Sequence, residues 1–365
     1  MPFVSGVMGG IYIWLSPNIM LASVIAFRSM ALLNLLGMAV LSLCICYKRW
    51  FCHTLCPMGW CCHRVSKTAH RNRPDRIPAS TGKLLALFTL TSAIWGYPLL
   101  LWFDPLVLFS SFFAVFQFRD LSIPFILTLL SFPVVVFSQW LFPHSWCSKV
   151  CPLGGMQDML WWLRSMFQNL TQKKYEKTVQ QNGITRRELL ASFSGLVTGG
   201  FLSTISLKPN RTIRPPASLK TPQFETVCLR CGNCVRACPT HIIQRYTCPD
   251  NWYAWMTPII NFTKGYCLSD CTICGTVCPS GAIYPFTVPA KKILSIGKAL
   301  IDVKNCLLQI PEECALCKNA CNYDAIKITA KQDTKTLPLL DEVRCVGCGA
   351  CAQICPNGII RIECC

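Results

Sequence analysis

The sequence predicts two kinds of structure in one chain: an α-helical membrane domain with an internal duplication, and a smaller α+β domain at the C-terminal end. Hydrophobic residues make up 52% of the 365 residues and charged residues only 14%, which is too apolar for an ordinary soluble protein. The long apolar stretches lie before residue 208, and the membrane prediction rests on them. Four closely spaced cysteine clusters lie between residues 228 and 355, and the α+β prediction rests on those.

Four stretches are long and apolar enough to be predicted as transmembrane helices. They are residues 29–47, 84–103, 122–142 and 189–207. Lys and Arg concentrate in residues 48–83 and 143–188, which the positive-inside rule places on the cytoplasmic side. The sequence therefore predicts a multi-pass protein of the bacterial inner membrane whose C-terminal domain is periplasmic.

An internal repeat runs through the membrane half. The residues WLSP at 14–17 resemble WFDP at 102–105, and each is followed by an apolar stretch and then by a C-x3-C-P-x-G motif. The two motifs supply the cysteine pairs Cys52 with Cys56 and Cys147 with Cys151. Two parallel copies related by an axis along the membrane normal would bring these pairs together.

Residues 171–207 contain Arg186-Arg187 before a Gly-rich apolar stretch, a pattern similar to a twin-arginine export signal. No clear A-x-A cleavage site follows, so the segment is predicted to remain as a transmembrane anchor. The Pro-rich, charged residues that come next are predicted to be a linker. The predicted domains are residues 1–170, 171–207, 208–224 and 225–365.

Sixteen cysteines form four motifs in the C-terminal part. They are Cys228, Cys231, Cys234, Cys238; Cys267, Cys271, Cys274, Cys278; Cys306, Cys314, Cys317, Cys321; and Cys345, Cys348, Cys351, Cys355. The first and last motifs read C-x2-C-x2-C-x3-C-P, the run that binds a [4Fe-4S] cluster in bacterial ferredoxins. The sequence therefore predicts four [4Fe-4S] clusters in a polyferredoxin domain made of two ferredoxin-like pairs.

In such a pair, the fourth cysteine of each motif ligates the cluster of the other motif. The linking sequences favour pairing motif two with motif three, and motif one with motif four. Cys321 would then complete the set of the second motif, and Cys355 would complete the set of the first. The other pairing, one with two and three with four, stays open.

The two C-x3-C-P pairs are candidates for a fifth [4Fe-4S] cluster at the membrane. On a helix, cysteines four residues apart share one face, so two such pairs could surround one cubane. A dithiol/disulfide pair and a copper site are rival interpretations, because soft thiolates also suit Cu(I). Cysteines that hold no metal are a further alternative.

Other functions find little support in the sequence. The formal charge of +18 counts ligand thiolates as neutral, so it does not require a nucleic-acid partner. None of the five histidines lies in the middle of a predicted span, so paired axial ligands for a haem are absent. The sequence shows no phosphate-binding loop and no catalytic dyad, and no catalytic residue is predicted.

The chain resembles the NapH/NapG (also MauN/MauM) quinol dehydrogenase modules, fused into one polypeptide. FCHTLCPMGW and WCSKVCPLGG look like the NapH membrane region and the related NosR region, whereas the part from Thr185 onward is similar to NapG. This resemblance implies electron transfer from quinol of the membrane quinone pool, through four clusters, to a periplasmic reductase or cytochrome. The further cytoplasmic ferredoxin motifs usual in NapH-type proteins are missing here. An enzymatic role would amount at most to a quinol dehydrogenase module.

An alternative function is that of a metal or redox maturation factor. In this hypothesis the membrane C-x3-C-P cysteines would reduce a partner protein or deliver metal to it. Cluster content and copper binding distinguish this hypothesis from electron transfer.

Overall fold

The computed structural model describes residues 13–27, 34–69, 77–115, 123–171, 185–204, 212–247, 254–309, 314–330 and 336–364. The chain divides into two compact units. The first unit is Met1–Leu207 with Pro222–Cys231, and the second is Lys208–Thr221 with Gly232–Cys365. Part of the predicted linker, residues 208–211, and residues 172–184 before the predicted anchor lie outside the described residues.

The described part of the first unit is helical. Its α-helices are α1 Pro17–Phe27, α2 Asn34–Cys46, α3 Trp50–Thr54, α4 Pro57–Thr68, α5 Thr81–Ala93, α6 Pro105–Val115, α7 Ile123–Leu141, α8 Pro152–Thr171, α9 Arg186–Thr204 and α10 Gln223–Val227. A 3-10 turn, Leu101–Phe103, precedes α6, and a π-helical turn, Trp146–Val150, precedes α8. Fully buried apolar side chains, among them Phe51, Met58, Leu153 and Met156, form its main core.

The helices of the first unit occur in two matching series. α1 and α6 are both 11 residues long and begin at the proline of the repeated W-x-x-P sequence. α4 and α8 both begin at the proline of a C-x3-C-P motif. The residues Arg49 and His144, which precede these motifs at equivalent places, both have left-handed backbones, with φ of 55° and 61°. The duplication in the sequence therefore corresponds to a duplication of structural elements.

The starts of α1 and α6 are joined by a buried hydrogen-bond network. Asp104 is fully buried, and its carboxylate accepts from the Leu106 N–H at 3.0 Å, which caps α6. The same carboxylate accepts from the Ser16 hydroxyl at 3.0 Å and from the Asn18 amide at 3.3 Å. Ser16 also accepts from the Ile19 N–H within α1. The two equivalent helix caps therefore bond to each other across the two copies.

Asp104→Asn is expected to remove a pH dependence of stability. Burial raises the pKa of Asp104 to about 6 from 3.8, although its hydrogen bonds oppose the rise. Because the folded-state pKa lies above the unfolded value, the folded state holds this proton more tightly. Stability is therefore lost as pH rises from about 4 to about 6, by about 3 kcal/mol in all. The free energy of unfolding measured across this range should show a smaller loss for Asp104→Asn than for the wild type. Glu342→Gln, a change at an exposed carboxylate, is the matched control, and an equal loss in Asp104→Asn and in the wild type would contradict the prediction.

The membrane part of the predicted fold is wrong. Within the described ranges, no helix combines the length and the apolarity that crossing a bilayer requires. The stretch predicted at 29–47 contains α2, which has 13 residues, whereas a transmembrane helix needs about 20. The stretch predicted at 84–103 is interrupted, because α5 ends at Ala93 and a separate 3-10 turn follows at Leu101–Phe103. The predictions of an α-helical membrane domain and of a multi-pass inner-membrane protein are both corrected by this finding.

The predicted anchor is corrected by the same finding for the described residues. Its helix, α9, packs against α5 within the first unit. Two glycines of α9 permit a close approach of the two helices. A Cβ on Gly195 would lie 2.7 Å from the Phe88 carbonyl oxygen, and one on Gly199 would lie 3.0 Å from the Ser92 carbonyl oxygen. The Gly-rich composition that suggested an export segment therefore serves helix packing here.

The start of α9 is a capping box. The Thr185 hydroxyl accepts from the Glu188 N–H at 3.3 Å, and the Glu188 carboxylate accepts from the Thr185 N–H at 2.9 Å. Arg186 and Arg187 are thus the first two residues of a capped helix. The twin-arginine interpretation of these residues stays a prediction.

The second unit is built from short helices and three two-stranded antiparallel sheets. Its helices are α11 Asn233–Ala237, α12 Ile273–Thr276, α13 Val288–Lys291, α14 Leu316–Asn319 and α15 Ala350–Ile354, with 3-10 turns at Val303–Asn305 and Leu307–Gln309. Its strands are β1 Ile243–Arg245, β2 Pro258–Ile260, β3 Lys298–Ile301, β4 Ile326–Ala330, β5 Thr336–Leu340 and β6 Ile360–Glu363. The sheets pair β1 with β2, β3 with β6 and β4 with β5. Cysteine side chains form part of its core together with Ala299, Ala325, Ile326 and Ile360.

Candidate metal centres

Three sets of four cysteines in the second unit line three separate cavities. The sets are Cys238, Cys267, Cys271, Cys274; Cys306, Cys314, Cys317, Cys355; and Cys321, Cys345, Cys348, Cys351. Each set combines three cysteines of one motif with the fourth cysteine of another motif. This is the exchange of fourth ligands that ferredoxins with paired [4Fe-4S] clusters use.

The exchange pairs motif three with motif four, and brings Cys238 of motif one to motif two. The pairing that the linking sequences favoured, two with three and one with four, is therefore not the one that the structure adopts. Cys321 lies with the fourth motif rather than the second. Cys355 lies with the third motif rather than the first. The alternative left open by the sequence agrees with the structure.

The strand registers explain this pairing. In the β4–β5 hairpin, Ile326 pairs with Leu340, so Cys321 just before β4 meets Cys345 just after β5. The Asp341 N–H donates to the Ala325 carbonyl at 2.7 Å and closes the same end of the hairpin. The sequence shows both strands as IKITA and TLPLL, and their hairpin was the indication that the sequence interpretation missed.

A second ladder produces the reciprocal exchange. β3 pairs with β6 so that Ile301 lies opposite Ile360. Cys306 follows β3 and Cys355 precedes β6, each a few residues from this pair, and the two cysteines therefore reach the same cavity. β1 and β2 act in the same way for Cys238 and Cys267, because Ile243 pairs with Ile260.

The first motif is placed differently. Cys228 and Cys231 belong to the first unit, whereas Cys234 and Cys278 belong to the second. Cys228, Cys231 and Cys234 are buried, and Cys278 is half-buried. The Cys278 sulfur accepts from the Ile283 N–H at 3.4 Å. The ligand set of this motif stays a prediction from the sequence.

Burial disfavours the thiolate form of the free cysteines in these cavities. It raises the pKa of Cys274 to about 12, with smaller contributions from neighbouring cysteines. It likewise raises the pKa of Cys351 to about 12. Metal binding reverses this preference, because thiolate ligands are neutralised by the metal they bind. Four thiols that are buried or half-buried around one cavity thus fit a cluster of several iron atoms. In the described ranges, no three His, Cys, Asp or Glu side chains are grouped so that they could hold a single metal ion.

The two C-x3-C-P motifs come together in the first unit. Cys56 and Cys151 lie in its main buried core, and Cys147 packs against that core. Burial and the charge of Cys147 raise the pKa of Cys52 to about 12. Burial, followed by the charges of Cys52 and Cys147, also raises the pKa of Cys151. The four cysteines predicted as one set therefore lie within electrostatic reach of one another.

Backbone contacts explain the glycine of each C-x3-C-P-x-G motif. A Cβ on Gly59 would lie 2.5 Å from the Cys52 carbonyl oxygen, and a Cβ on Gly154 would lie 2.9 Å from the Cys147 carbonyl oxygen. The N–H of Gly59 donates to the Cys56 sulfur at 3.3 Å, and that of Gly154 donates to the Cys151 sulfur at 3.5 Å. Each helix therefore begins with its N-terminus directed at a cysteine, where thiolate is favoured.

Each copy also supplies a side chain to the first cysteine of the other copy. Gln157 is fully buried, and its amide donates to the Cys52 sulfur at 3.1 Å. Cys62, at the equivalent place in the first copy, is 2% exposed and hydrogen bonds with Cys147, which is the first cause of the raised pKa of Cys147. The sequence interpretation gave these two residues no role, although aligning the two motifs would have shown that they are equivalent.

An ion pair lies beside this group of cysteines. The Arg49 guanidinium binds the Asp158 carboxylate with two hydrogen bonds, at 2.9 and 2.5 Å. It also donates to the Ser148 carbonyl at 3.1 Å, within the second motif. Because Arg49 precedes the first motif, this contact ties the two motifs together.

Comparisons with known proteins agree with these centres. A model of a 4Fe-4S dicluster domain matches residues 312–359, which span most of the third motif and all of the fourth. A model of a 4Fe-4S binding domain matches residues 223–244, and another model of that description matches twice, at residues 30–73 and 124–171. No solved structure gives a significant match.

Curated relatives are ferredoxin-type proteins. The chain is 33% identical to ferredoxin-type protein NapF of Escherichia coli K12 over 174 residues, which are 47% of this chain and 94% of NapF. It is 30% identical to ferredoxin-type protein NapG of Escherichia coli K12 over 196 residues, or 48% of this chain and 82% of NapG. It is 27% identical to the methylamine utilization ferredoxin-type protein MauM of Methylobacillus flagellatus over 51% of this chain and 81% of MauM.

These matches cover about half of the chain, and they do not support the predicted fusion of a NapH-like membrane half to a NapG-like half. They do agree in kind with the cysteine sets, because the matched proteins and domain models are ferredoxin-type and 4Fe-4S binding. At 33% identity over nearly all of NapF, this chain belongs to the family of ferredoxin-type iron-sulfur electron-transfer proteins that includes NapF and NapG.

Proposed function

We propose that the chain carries electrons through four [4Fe-4S] clusters held by the sixteen cysteines of the C-terminal motifs. The observation that supports this best is that the cysteine sets of the second unit are contiguous. The N–H of Cys267 donates to the Cys348 carbonyl at 2.8 Å, so the set containing Cys267 adjoins the set containing Cys348. Motifs three and four exchange Cys321 and Cys355. The set that contains Cys355 therefore adjoins the set that contains Cys348.

The protein's own contribution is to hold the thiolates of these clusters and to shield them from water. When bound, each cluster supplies one-electron redox chemistry. N–H groups aimed at sulfur stabilise added negative charge, as at Cys321, whose sulfur accepts from the Ala325 N–H at 3.3 Å. In this proposal the chain only transfers electrons, and we assign no catalytic residue to it.

The first unit is proposed to hold a fifth [4Fe-4S] cluster on Cys52, Cys56, Cys147 and Cys151. Two observations support this proposal. The four thiols lie near one another, with Cys56 and Cys151 buried and Cys52 and Cys147 half-buried, and N–H donors reach three of the four sulfurs. Each motif also lies inside a match to a 4Fe-4S binding domain. A dithiol or copper role in maturation is the alternative that the same residues allow.

Quinol as the electron donor, and a periplasmic reductase or cytochrome as the acceptor, are part of the proposal through the resemblance described above. They rest on the motifs FCHTLCPMGW and WCSKVCPLGG and on the order of the four C-terminal motifs. Redox partners are expected for any ferredoxin-type protein.

The test is the cofactor content of the whole chain purified without oxygen. Iron and acid-labile sulfide are expected in equal amounts, at about sixteen of each per chain for four clusters and about twenty for five. Dithionite should produce electron paramagnetic resonance signals of reduced [4Fe-4S] clusters. Zinc in place of iron, or iron without labile sulfide, would overturn the proposed function.

A further inference from the structure

Lys291 is a buried cation inside a cluster-binding loop. It is the last residue of α13 and is only 1% exposed. Its ammonium donates to the Cys271 carbonyl at 2.6 Å and also to the Leu268 carbonyl. Burial raises the pKa of the Cys267 thiol, and the charge and hydrogen bond of Lys291 oppose that rise. Within the described ranges, the hydrogen bonds of the ammonium thus lie on residues 267–271.

A buried ammonium without a counter-charge is unfavourable, because burial removes its hydration. In the described ranges, Lys291 forms no ion pair with a carboxylate. Carbonyl oxygens satisfy its hydrogen bonds, but they do not neutralise its charge. A cluster bound by the adjacent cysteines as thiolates would supply the negative charge. These cysteines are Cys238, Cys267, Cys271 and Cys274.

We propose that Lys291 is the counter-charge of the [4Fe-4S] cluster bound by Cys238, Cys267, Cys271 and Cys274, and that it raises the reduction potential of this cluster above the value that the thiolates alone would give. The inference rests on the proposed function. Reduction adds one negative charge to an already anionic cluster, and a nearby buried cation stabilises the reduced form more than the oxidised form. Lys291 thus acts on the cluster through its charge and is not one of its ligands.

Lys298 gives an internal comparison. Its ammonium donates to the Cys345 carbonyl at 2.8 Å and to the Glu342 carbonyl, so it lies against the loop of the fourth motif. It is half-buried, however, and water therefore screens its charge more than that of Lys291. The two lysines act on different clusters, and the effect of Lys298 should be the smaller one. We therefore expect the cluster beside Lys291 to hold the electron more readily than it would without this charge.

The experiment compares Lys291→Met with Lys292→Met in the cluster-containing whole chain. Lys292 is the next residue and is exposed, so its replacement removes the same formal charge without removing a buried one. Redox titration followed by electron paramagnetic resonance should show one cluster that is harder to reduce in Lys291→Met, and no shift in Lys292→Met. Lys298→Met should shift a different cluster, and by less.

Iron content shows whether a variant still binds its clusters. Should Lys291→Met lose about four irons, Lys291→Arg decides the question because it keeps the charge. Full iron in Lys291→Arg supports the counter-charge role, whereas equal loss in both variants overturns it. Unchanged potentials in a fully loaded Lys291→Met protein would also overturn it. A wild-type chain that binds no [4Fe-4S] cluster at all would instead refute the proposed function itself.

Discussion

Replacing Cys52, Cys56, Cys147 and Cys151 together with alanine is expected to remove about four irons and four labile sulfides per chain, from about twenty to about sixteen. The physical reason is that these four thiols share one buried region of the first unit. Burial and neighbouring cysteines of the set raise the pKa values of Cys52 and Cys151, which favours neutral thiols when no positively charged irons are bound. Iron and sulfide analysis of anaerobically purified protein measures the difference directly.

A variant of other cysteines in the same unit is the matched control. Cys46 is exposed and Cys61 is half-buried, and neither is assigned to the set, so Cys46→Ala with Cys61→Ala should keep about twenty irons. If the first unit of the fourfold variant fails to fold, the pair Cys52→Ala with Cys147→Ala removes one cysteine from each copy and should still lose the same cluster. About sixteen irons in the wild type and in every variant would exclude a fifth cluster. Cu(I) binding that depends on Cys52 and Cys147 would then favour the maturation role.

The sequence indicated this site better than the fold around it. The repeat and the spacing of C-x3-C-P identified four cysteines that the structure brings near one another. The contacts that complete the site cross from one copy to the other, as between Gln157 and Cys52 and between Arg49 and Asp158. Such contacts depend on how the copies pack, and no local pattern in either copy encodes them. An alignment of the copies places Cys62 and Gln157 at the same position but does not say what they contact.

The membrane prediction was wrong because it rested on apolar composition, which fixes neither where a helix ends nor how apolar the whole helix is: α2 has 13 residues and α5 ends at Ala93. Some small residues of the predicted spans are buried within the first unit, whereas large apolar side chains of the same stretches, such as Leu35, Phe137 and Phe201, are exposed. Ala86 and Ala93, in one predicted span, are fully buried. Gly195 and Gly199, in the predicted anchor, are buried where α9 meets α5. Hydropathy measures how apolar a stretch is, but it does not identify the surface that covers it.

In the second unit the sequence identified the cysteines but not their grouping. The ligand spacing follows from local chemistry, since three cysteines must reach one cluster from a single loop. Their grouping follows from which strands pair, and strand pairing is a long-range property. Each of the three ladders in the described part of this unit brings cysteines from two motifs to the same cavity. The choice between the two pairings could not be made from the short linking sequences alone.

This grouping predicts which pairs of cysteine changes remove the same cluster. Cys321→Ala alone is expected to remove about four irons. Adding Cys345→Ala should remove no more, because both cysteines belong to one set. Adding Cys314→Ala instead should remove about eight in total, because Cys314 belongs to the set that contains Cys355. Iron analysis of the two double variants, with Cys355→Ala and Cys314→Ala as the reciprocal pair, measures this difference.

The number of irons lost in each double variant distinguishes three possible arrangements of the ligands. If motif two were paired with motif three, Cys321→Ala with Cys267→Ala would remove about four irons, and Cys321→Ala with Cys345→Ala would remove about eight. If each motif kept its own fourth cysteine, the low number would belong to Cys321→Ala with Cys314→Ala. The β4–β5 register places Cys321 at the same end of the hairpin as Cys345, and this geometry permits neither of those outcomes. Non-additive loss confined to Cys321 with the fourth motif, and to Cys355 with the third, is therefore the expected pattern. It would mean that the third and fourth motifs hold their two clusters by exchanging their fourth cysteines.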